Sequence, residues 1–322
     1  MALIASLNQQ AEARELAAWS SWKLGRPAGY YDWPIRAEAS QFYKENGFLV
    51  VENGIMPAQL EVLKNEASHI CRGEKGPVGG LQDRPDDESV EDTLKRYLCI
   101  HFPHKISDVM FKALALPSMV NVLTSVIGPN VKCMQSMLFI KAAGKPGQAW
   151  HQDEIYIPTR DRSLLGGWIA LDDATVENGC LWVIPGSQKP GILYTQDWHG
   201  DSRFDCALES QRFPWSNDDA VPVEVKAGSI VFFNGYLLHR SLPNYANAGF
   251  RRSLVNHYMS AESLLPWYGF KPEEPVSTAD YRDIVMIAGE DPYAFKGIEN
   301  RAGAHVRPSG EGGCGSNKYN EK

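Results

Sequence analysis

The chain has 322 residues, 43% of them hydrophobic, which is enough to bury a sizeable core in one or two domains. Its 39 acidic residues outnumber 32 lysines and arginines that form no concentrated block, so the electrostatic footprint of a nucleic-acid binder is missing. No run of about 18 apolar residues could span a bilayer, and the sequence reads as a globular protein with neither membrane nor nucleic-acid partners.

The start, Met1-Ala2-Leu3-Ile4, lacks the basic region and long apolar core of a secretion signal, and Asn320-Glu321-Lys322 matches no organelle address. A cytoplasmic protein is expected. The cysteines Cys71, Cys99, Cys133, Cys180, Cys206 and Cys314 have no CxxC spacing, which argues against a zinc knuckle or a disulfide framework and leaves most as buried thiols.

Up to about residue 130 the pattern is helical. The stretch 8–22 is rich in Ala, Glu and Leu, and 36–46 is closed by Gly47 before the apolar strand Phe48-Leu49-Val50-Val51. Pro57 opens a helix over 57–72, where Leu60, Leu63, Ala67 and Ile70 recur at the three- and four-residue steps of an amphipathic face. The acidic, Gly- and Pro-containing stretch 73–91 reads as a loop that could act as a lid, and helices follow over 105–114 and 117–127.

From Val131 the texture changes to short Val-, Ile- and aromatic-rich segments separated by turn residues: 131–142, 148–157, 167–171, 180–184, 221–225, 229–238 and 252–259. Such spacing predicts a β-sandwich or barrel. The long polar insert 194–217 has the size of one that carries function. Residues 260–298 are mixed in character. The chain thus divides into a helical part, about 1–130, and a β core, about 131–260, in one domain ending near 300, with a Gly-rich disordered tail over 301–322.

The stretch Trp150-His151-Gln152-Asp153-Glu154 carries the chemistry. On a strand, residues two apart share a face, so His151 and Asp153 point one way and Gln152 the other. If His239, which ends the apolar run from Ile230, reaches the same point, the three form the two-histidine, one-carboxylate face of a non-haem Fe(II) site. The second HxD, His199-Gly200-Asp201, lies in the polar insert, where period-two geometry is not expected. Arg251 stands 12 residues beyond His239, and a guanidinium suits the anchoring of a co-substrate carboxylate.

Together with the run Asn178-Gly179-Cys180-Leu181 to Pro185-Gly186-Ser187, the strands at Gly47-Phe48 and Gln135-Ser136-Met137, His239-x-Ser241, and Phe250-Arg251 before His257-Tyr258, these residues resemble the phytanoyl-CoA dioxygenase family over about 41–258. The resemblance implies a mainly β, double-stranded β-helix (jelly-roll, cupin-like) core with flanking helices. It implies Fe(II) on His151, Asp153 and His239, and 2-oxoglutarate held by Arg251 with Ser241, Trp168 and Met137 nearby and Gln135 a further candidate. With O2, it implies hydroxylation of a small organic substrate and decarboxylation of 2-oxoglutarate to succinate. The step from His239 to Arg251 is one residue longer than the resemblance implies, which makes Arg252 a rival anchor; Phe250 favours Arg251. A carboxylate at Asp153, where halogenating relatives carry a small residue, favours hydroxylation.

Other residues have plainer readings. His101 and His104 could edge a substrate pocket, but Pro103 spoils regular spacing and exposure is expected; His257 is expected to support the metal ligands, and Trp150 and Trp182 to pack. Gly310-x-Gly312-x-x-Gly315 formally matches a dinucleotide fingerprint, but no strand precedes it and no helix can follow. Rival readings are a jelly-roll binding module without oxygen chemistry, a metal-dependent isomerase or cupin-type dioxygenase, and, within the oxygenase class, an acyl-CoA hydroxylase. The lack of a Lys/Arg cluster for a CoA phosphate favours a small secondary-metabolite intermediate, bound by the N-terminal helices, the loop 73–91 and the insert.

Overall fold

The computed structural model describes residues 28–205, 208–264 and 282–307. The helix expected over 8–22, Cys206, Cys314 and the glycine pattern at 310–315 lie outside them.

The first half follows the apolar periodicity closely. Strand β1 (Tyr30–Asp32) precedes helix α1 (Ala37–Asn46), which stops at Gly47 because that residue turns left-handed, with φ 81°, and its N–H caps the Tyr43 carbonyl. Strand β2 (Phe48–Glu52) and helix α2 (Pro57–Cys71) follow, the latter opened by proline in its first turn. The loop after α2 is shorter than expected, because the Ser89 hydroxyl accepts from the Asp92 N–H and starts helix α3 (Val90–Lys95). An unforeseen strand β3 (Cys99–His101) comes next, then α4 (Asp108–Ala113) and α5 (Pro117–Val126).

The β half contains β4 (Val131–Ala142), β5 (Gln148–His151), β6 (Leu165–Ala170), β7 (Leu181–Val183), β8 (Gln196–Trp198) and β9 (Leu208–Ser210). It continues with β10 (Val221–Val223), β11 (Ile230–Asn234), β12 (His239–Ser241), β13 (Phe250–Ser260), β14 (Val285–Ala288) and β15 (His305–Val306). Among the described residues the large sheet runs β1-β2-β11-β6-β13-β4-β3-β15, with β14 also on β4; a four-stranded sheet runs β10-β7-β12-β5; and β8 and β9 form a hairpin in the insert. The fold is mainly β with a jelly-roll core.

Period-two alternation sorts the large sheet into two faces. Leu49, Val51, Leu138, Ile140, Ile169, Ile230, Phe232 and Leu254 pack with Leu60, Leu63, Ala67 and Ile70 of α2 in one core. Their neighbours Phe48, Val50, Trp168, Val231, Phe233 and Val255 form a second core, against Trp150, Leu181 and Val183 of the small sheet. Trp150 and Trp182 are buried, as packing residues should be, and the Arg240 guanidinium lies 4.7 Å and 5.8 Å from their rings. Sites in a sandwich open between the two sheets, and this inner face is where the polar residues of interest collect.

Three expectations are corrected. The segment 148–157 is not one strand: β5 ends at His151, and a 3-10 turn begins at Asp153. The segment 229–238 breaks after Asn234, whose side chain accepts from the Tyr236 N–H, and this turn lets the chain cross to the small sheet as β12. The tail is not disordered from Arg301: His305–Val306 pairs with β3, and the Arg307 side chain is buried against Asp205.

The approach of β5 to β12 is close. A Cβ on Gly147 would lie 2.1 Å from the Ser241 carbonyl oxygen and 2.7 Å from the Leu242 carbonyl carbon, both rigid backbone. Gly147→Ala is therefore expected to destabilise the fold by about 1–3 kcal/mol, the usual range for an overpacked site, read as a lowered denaturation midpoint; an unchanged midpoint would mean the strands can part freely.

Candidate active site

A cavity of about 170 Å3 opens between the sheets, lined among others by His151, Asp153, His239, Gln135, Met137, Trp168, Ser241 and Arg251. Every residue singled out from the sequence for metal or 2-oxoglutarate contact is thus on its wall. Cross-strand register puts His239 directly opposite His151, and their rings lie 4.1 Å apart. Asp153 joins them because Gln152 is extended, with φ −130° and ψ 125°, so alternation survives for one residue past the strand end. On the other side the Gln152 amide donates to the Tyr236 and Ile192 carbonyls at 2.7 Å and 2.9 Å and accepts from the Tyr194 N–H, which anchors the turn.

Each metal-facing histidine is oriented by its own backbone. His151 Nδ1 lies 2.7 Å from the Ala149 carbonyl and His239 Nδ1 lies 3.0 Å from the Leu237 carbonyl. A carbonyl can only accept, so Nδ1 carries the proton and Nε2 presents a lone pair to the cavity. Asp153 Oδ1 sits 3.6 Å from both Nε2 atoms, too far for a hydrogen bond. The three donor atoms lie within 4.8 Å of one another, so one ion could touch all three.

Electrostatics keep the set ready for a cation. Burial first, and then the neighbouring His239, push the His151 pKa down to about 3, so the ring stays neutral at ordinary pH. Burial alone would raise the Asp153 carboxyl, but His239, His257 and His151 outweigh it and hold the group well below the usual carboxylate range. The second oxygen, Oδ2, lies 3.0 Å from His257 Nε2, whose N–H donates to the ionised carboxylate and fixes its tilt. The donor chemistry fits a divalent metal such as Fe(II) with an open face.

The two candidate anchors separate cleanly. Arg252 is bound through Nε and Nη2 to both oxygens of Asp172 at 2.8 Å, pointing out of the cavity lining. Arg251 lies on the inner face, buried, and donates to the Gly179 carbonyl at 3.0 Å and the Ser253 hydroxyl at 3.2 Å, with its guanidinium 5.5 Å from the Trp168 ring. Its pKa is lowered to about 10, chiefly by burial.

Other readings shift. His199 and Asp201 take no part, since Asp201 pairs with Arg203 at 2.7 Å. His101 and His104 are not exposed. His101 lines the cavity with its Nδ1 3.3 Å from the Gln135 amide, and His104 is buried with Nδ1 2.5 Å from the Ser136 hydroxyl. The cause is β3, which tucks both beneath β4. Reading the sequence alone missed Lys141, Phe139, Asp205, Arg307, Leu98 and Tyr156, all on the cavity wall. Lys141 and Phe139 share the period-two face of Gln135 and Met137, a signal that was available; Arg307 stands in a polar, Gly-containing stretch with none. No residue of the loop 73–91 lines the cavity.

The family model for phytanoyl-CoA dioxygenase (PhyH) matches residues 43–253. The chain belongs to the phytanoyl-CoA dioxygenase family. It is 30% identical over 240 residues to the peroxisomal phytanoyl-CoA dioxygenase of Homo sapiens, covering 71% of this chain and 69% of that protein. Among solved structures, the non-haem monooxygenase ThoJ superimposes with a TM-score of 0.60 at 19% identity over 84% of this chain and 88% of that one. EctD from S. alaskensis, solved with 2-oxoglutarate and 5-hydroxyectoine, gives 0.55 at 21% identity over 75% and 82%. With the His-Asp-His cluster in place, this family member is an Fe(II)/2-oxoglutarate-dependent oxygenase. No helix among the described residues is long and apolar enough to cross a membrane.

Two expectations follow from the geometry. Because His257 holds Asp153, His257→Ala should weaken metal binding by about 10–100-fold, measured by competition with a chelator; unchanged affinity would mean the carboxylate is held without it. Burial and Lys105 push the His104 pKa down to about 4, below its ordinary value of 6.5. The folded state then binds fewer protons than the unfolded chain, so stability is intact above pH 6.5 and lost as the pH falls towards 4. His104→Gln should reduce the loss between pH 7 and pH 5 by about 1–2 kcal/mol, seen as a flatter pH dependence of the urea midpoint.

Proposed function

We propose that the chain hydroxylates a small organic molecule, with His151, Asp153 and His239 holding Fe(II), and Arg251 and Ser241 holding the distal carboxylate of 2-oxoglutarate. The observation that carries this reading is the pairing, in one cavity, of three converging metal donors with a buried guanidinium that has no carboxylate partner among the described residues. When bound, ferrous iron and 2-oxoglutarate would use O2 to hydroxylate a C–H bond, one oxygen atom going to the new hydroxyl and the other to succinate as 2-oxoglutarate loses CO2.

The protein's share is placement and exclusion. His151 and His239 would each offer Nε2, and the Asp153 carboxylate one negative charge, to a dication, so that the bound metal would stay net positive towards the ketoacid end of the co-substrate. Asp153 occupies the position that chloride would need, which favours hydroxylation. Trp168, Met137 and Phe233 form apolar walls that keep bulk water from the reacting face. Gln135, tied to His101, faces the same space and could touch the co-substrate or the substrate.

The lack of a Lys/Arg cluster for a CoA phosphate favours a small substrate such as a secondary-metabolite intermediate. The acyl-CoA reading is the second one, supported by the similarity to the human phytanoyl-CoA dioxygenase. Among the described residues Cys71, Cys99, Cys133 and Cys180 are buried free thiols, which agrees with a reducing compartment such as the cytoplasm.

An anaerobic titration with Fe(II) and 2-oxoglutarate should give the visible charge-transfer band of a chelated ketoacid. The band should vanish in His151→Ala and require far more 2-oxoglutarate in Arg251→Ala. Absence of any band in the wild type at saturation would overturn the oxygenase assignment of this site. Succinate release across compact metabolites and acyl-CoA thioesters then separates the two substrate readings.

A further inference from the structure

A second basic side chain, Lys141, lines the cavity beside Arg251. Lys141 of β4 stands directly opposite Arg251 of β13 in the strand register, and each side chain is only 3% exposed. Lys141 Nζ donates to the Ser241 hydroxyl at 2.9 Å and to the Leu242 carbonyl at 2.7 Å. Arg251 likewise has neutral partners, the Gly179 carbonyl and the Ser253 hydroxyl. The nearby anions are committed elsewhere: Asp172 is held by Arg252 and Asp205 by Arg307. Burying two like charges side by side without a counter-ion is costly. Burial and then Arg251 push the Lys141 pKa well down, which is the direction that cost predicts.

The chain has nevertheless made room for this arrangement. Gly179 turns left-handed at φ 83°, and a Cβ there would come 3.0 Å from Lys141 Nζ and 2.4 Å from the Leu242 carbonyl oxygen. Its bare backbone lets both cations approach, accepting from one while leaving space for the other. The Ser241 hydroxyl, which accepts from Lys141, keeps its own proton free to donate into the cavity. Two basic side chains and a hydroxyl thus line the same cavity from paired positions.

We propose that Lys141 is a second binding residue for the distal carboxylate of the co-substrate, acting with Arg251 and Ser241 so that this carboxylate supplies a counter-charge that the two basic side chains lack among the described residues. The proposal rests on the 2-oxoglutarate reading of the site. A purely structural Lys141 would only stitch β4 to the end of β12. The two roles differ in what they make of a ketoacid with the same chain and no distal charge.

The experiment is a set of anaerobic Fe(II) titrations with 2-oxoglutarate and with 2-oxopentanoate, read by the charge-transfer band, on wild type, Lys141→Gln, Lys141→Met and Lys141→Arg. Loss of a charged hydrogen bond should weaken 2-oxoglutarate by about 10–100-fold in the Gln and Met variants, leave 2-oxopentanoate within about twofold, and be largely restored by Arg. Equal weakening of both acids, or no change in either, would overturn the proposal. Melting temperature and iron affinity are followed in parallel, and Lys141→Gln keeps hydrogen bonding if Lys141→Met fails to fold. A wild type that binds neither acid would instead remove the oxygenase reading beneath it.

Discussion

The pairing of β5 with β12 is the constraint on which the rest of the molecule depends. It sets His151 opposite His239 across two short strands, at a distance in sequence that only a sandwich can close. Both strands are brief, four and three residues, so neither could hold its place alone. What holds them is the approach at Gly147, the Gln152 amide clamped between two carbonyls, and the apolar layer of Trp150, Leu181 and Val183 against the large sheet. The metal donors then need no freedom of their own. Their Nδ1 protons are taken up by carbonyls two residues before them, and the carboxylate is fixed by a third histidine.

The same period-two geometry that builds the cores also builds the chemistry. On β4 the even residues Leu138 and Ile140 face the helices, while Gln135, Met137, Phe139 and Lys141 face the cavity. On β13 Leu254 faces the helices, while Arg251, Val255 and His257 line the cavity. One face is a hydrophobic seal and the other is polar and charged. Burial of the outer face keeps the register from slipping by one residue, because a slip would exchange the two sets at once.

This explains what could be read in advance and what could not. His151, Asp153, His239 and Arg251 were legible because few residue types bind metal or carboxylate, and their spacing matched strand alternation. Lys141 obeyed the same alternation yet was passed over, since lysine is among the residues least often buried and its neighbour in the site lies 110 positions away, at Arg251. The strand ends at His151 and Asn234 were hidden because side-chain hydrogen bonds, not hydropathy, decide where those strands stop. β1 and β15 are three and two residues long, too short for any periodicity to register, and they exist only because a neighbouring edge was there to pair with.

The least legible part is a contact between two segments far apart in the chain. Asp205 from the insert and Arg307 from the C-terminal strap meet in a buried ion pair on the cavity wall, with the Arg307 guanidinium 6.0 Å from the Phe139 ring and its backbone N–H donating to Cys99. Arg307 lies beyond the residues 43–253 that the family model matches. Each partner also has a buried polar atom without a hydrogen bond, Asp205 Oδ1 and Arg307 Nε. A buried ion pair adds little net stability against its desolvation cost, and an incompletely satisfied one adds less. Its value is positional: it joins two segments that share no strand pairing and closes the cavity on the side away from the His-Asp-His cluster's own strands. Family membership therefore accounts for the oxygen chemistry, while one residue of the cavity wall, Arg307, comes from a segment outside the family match.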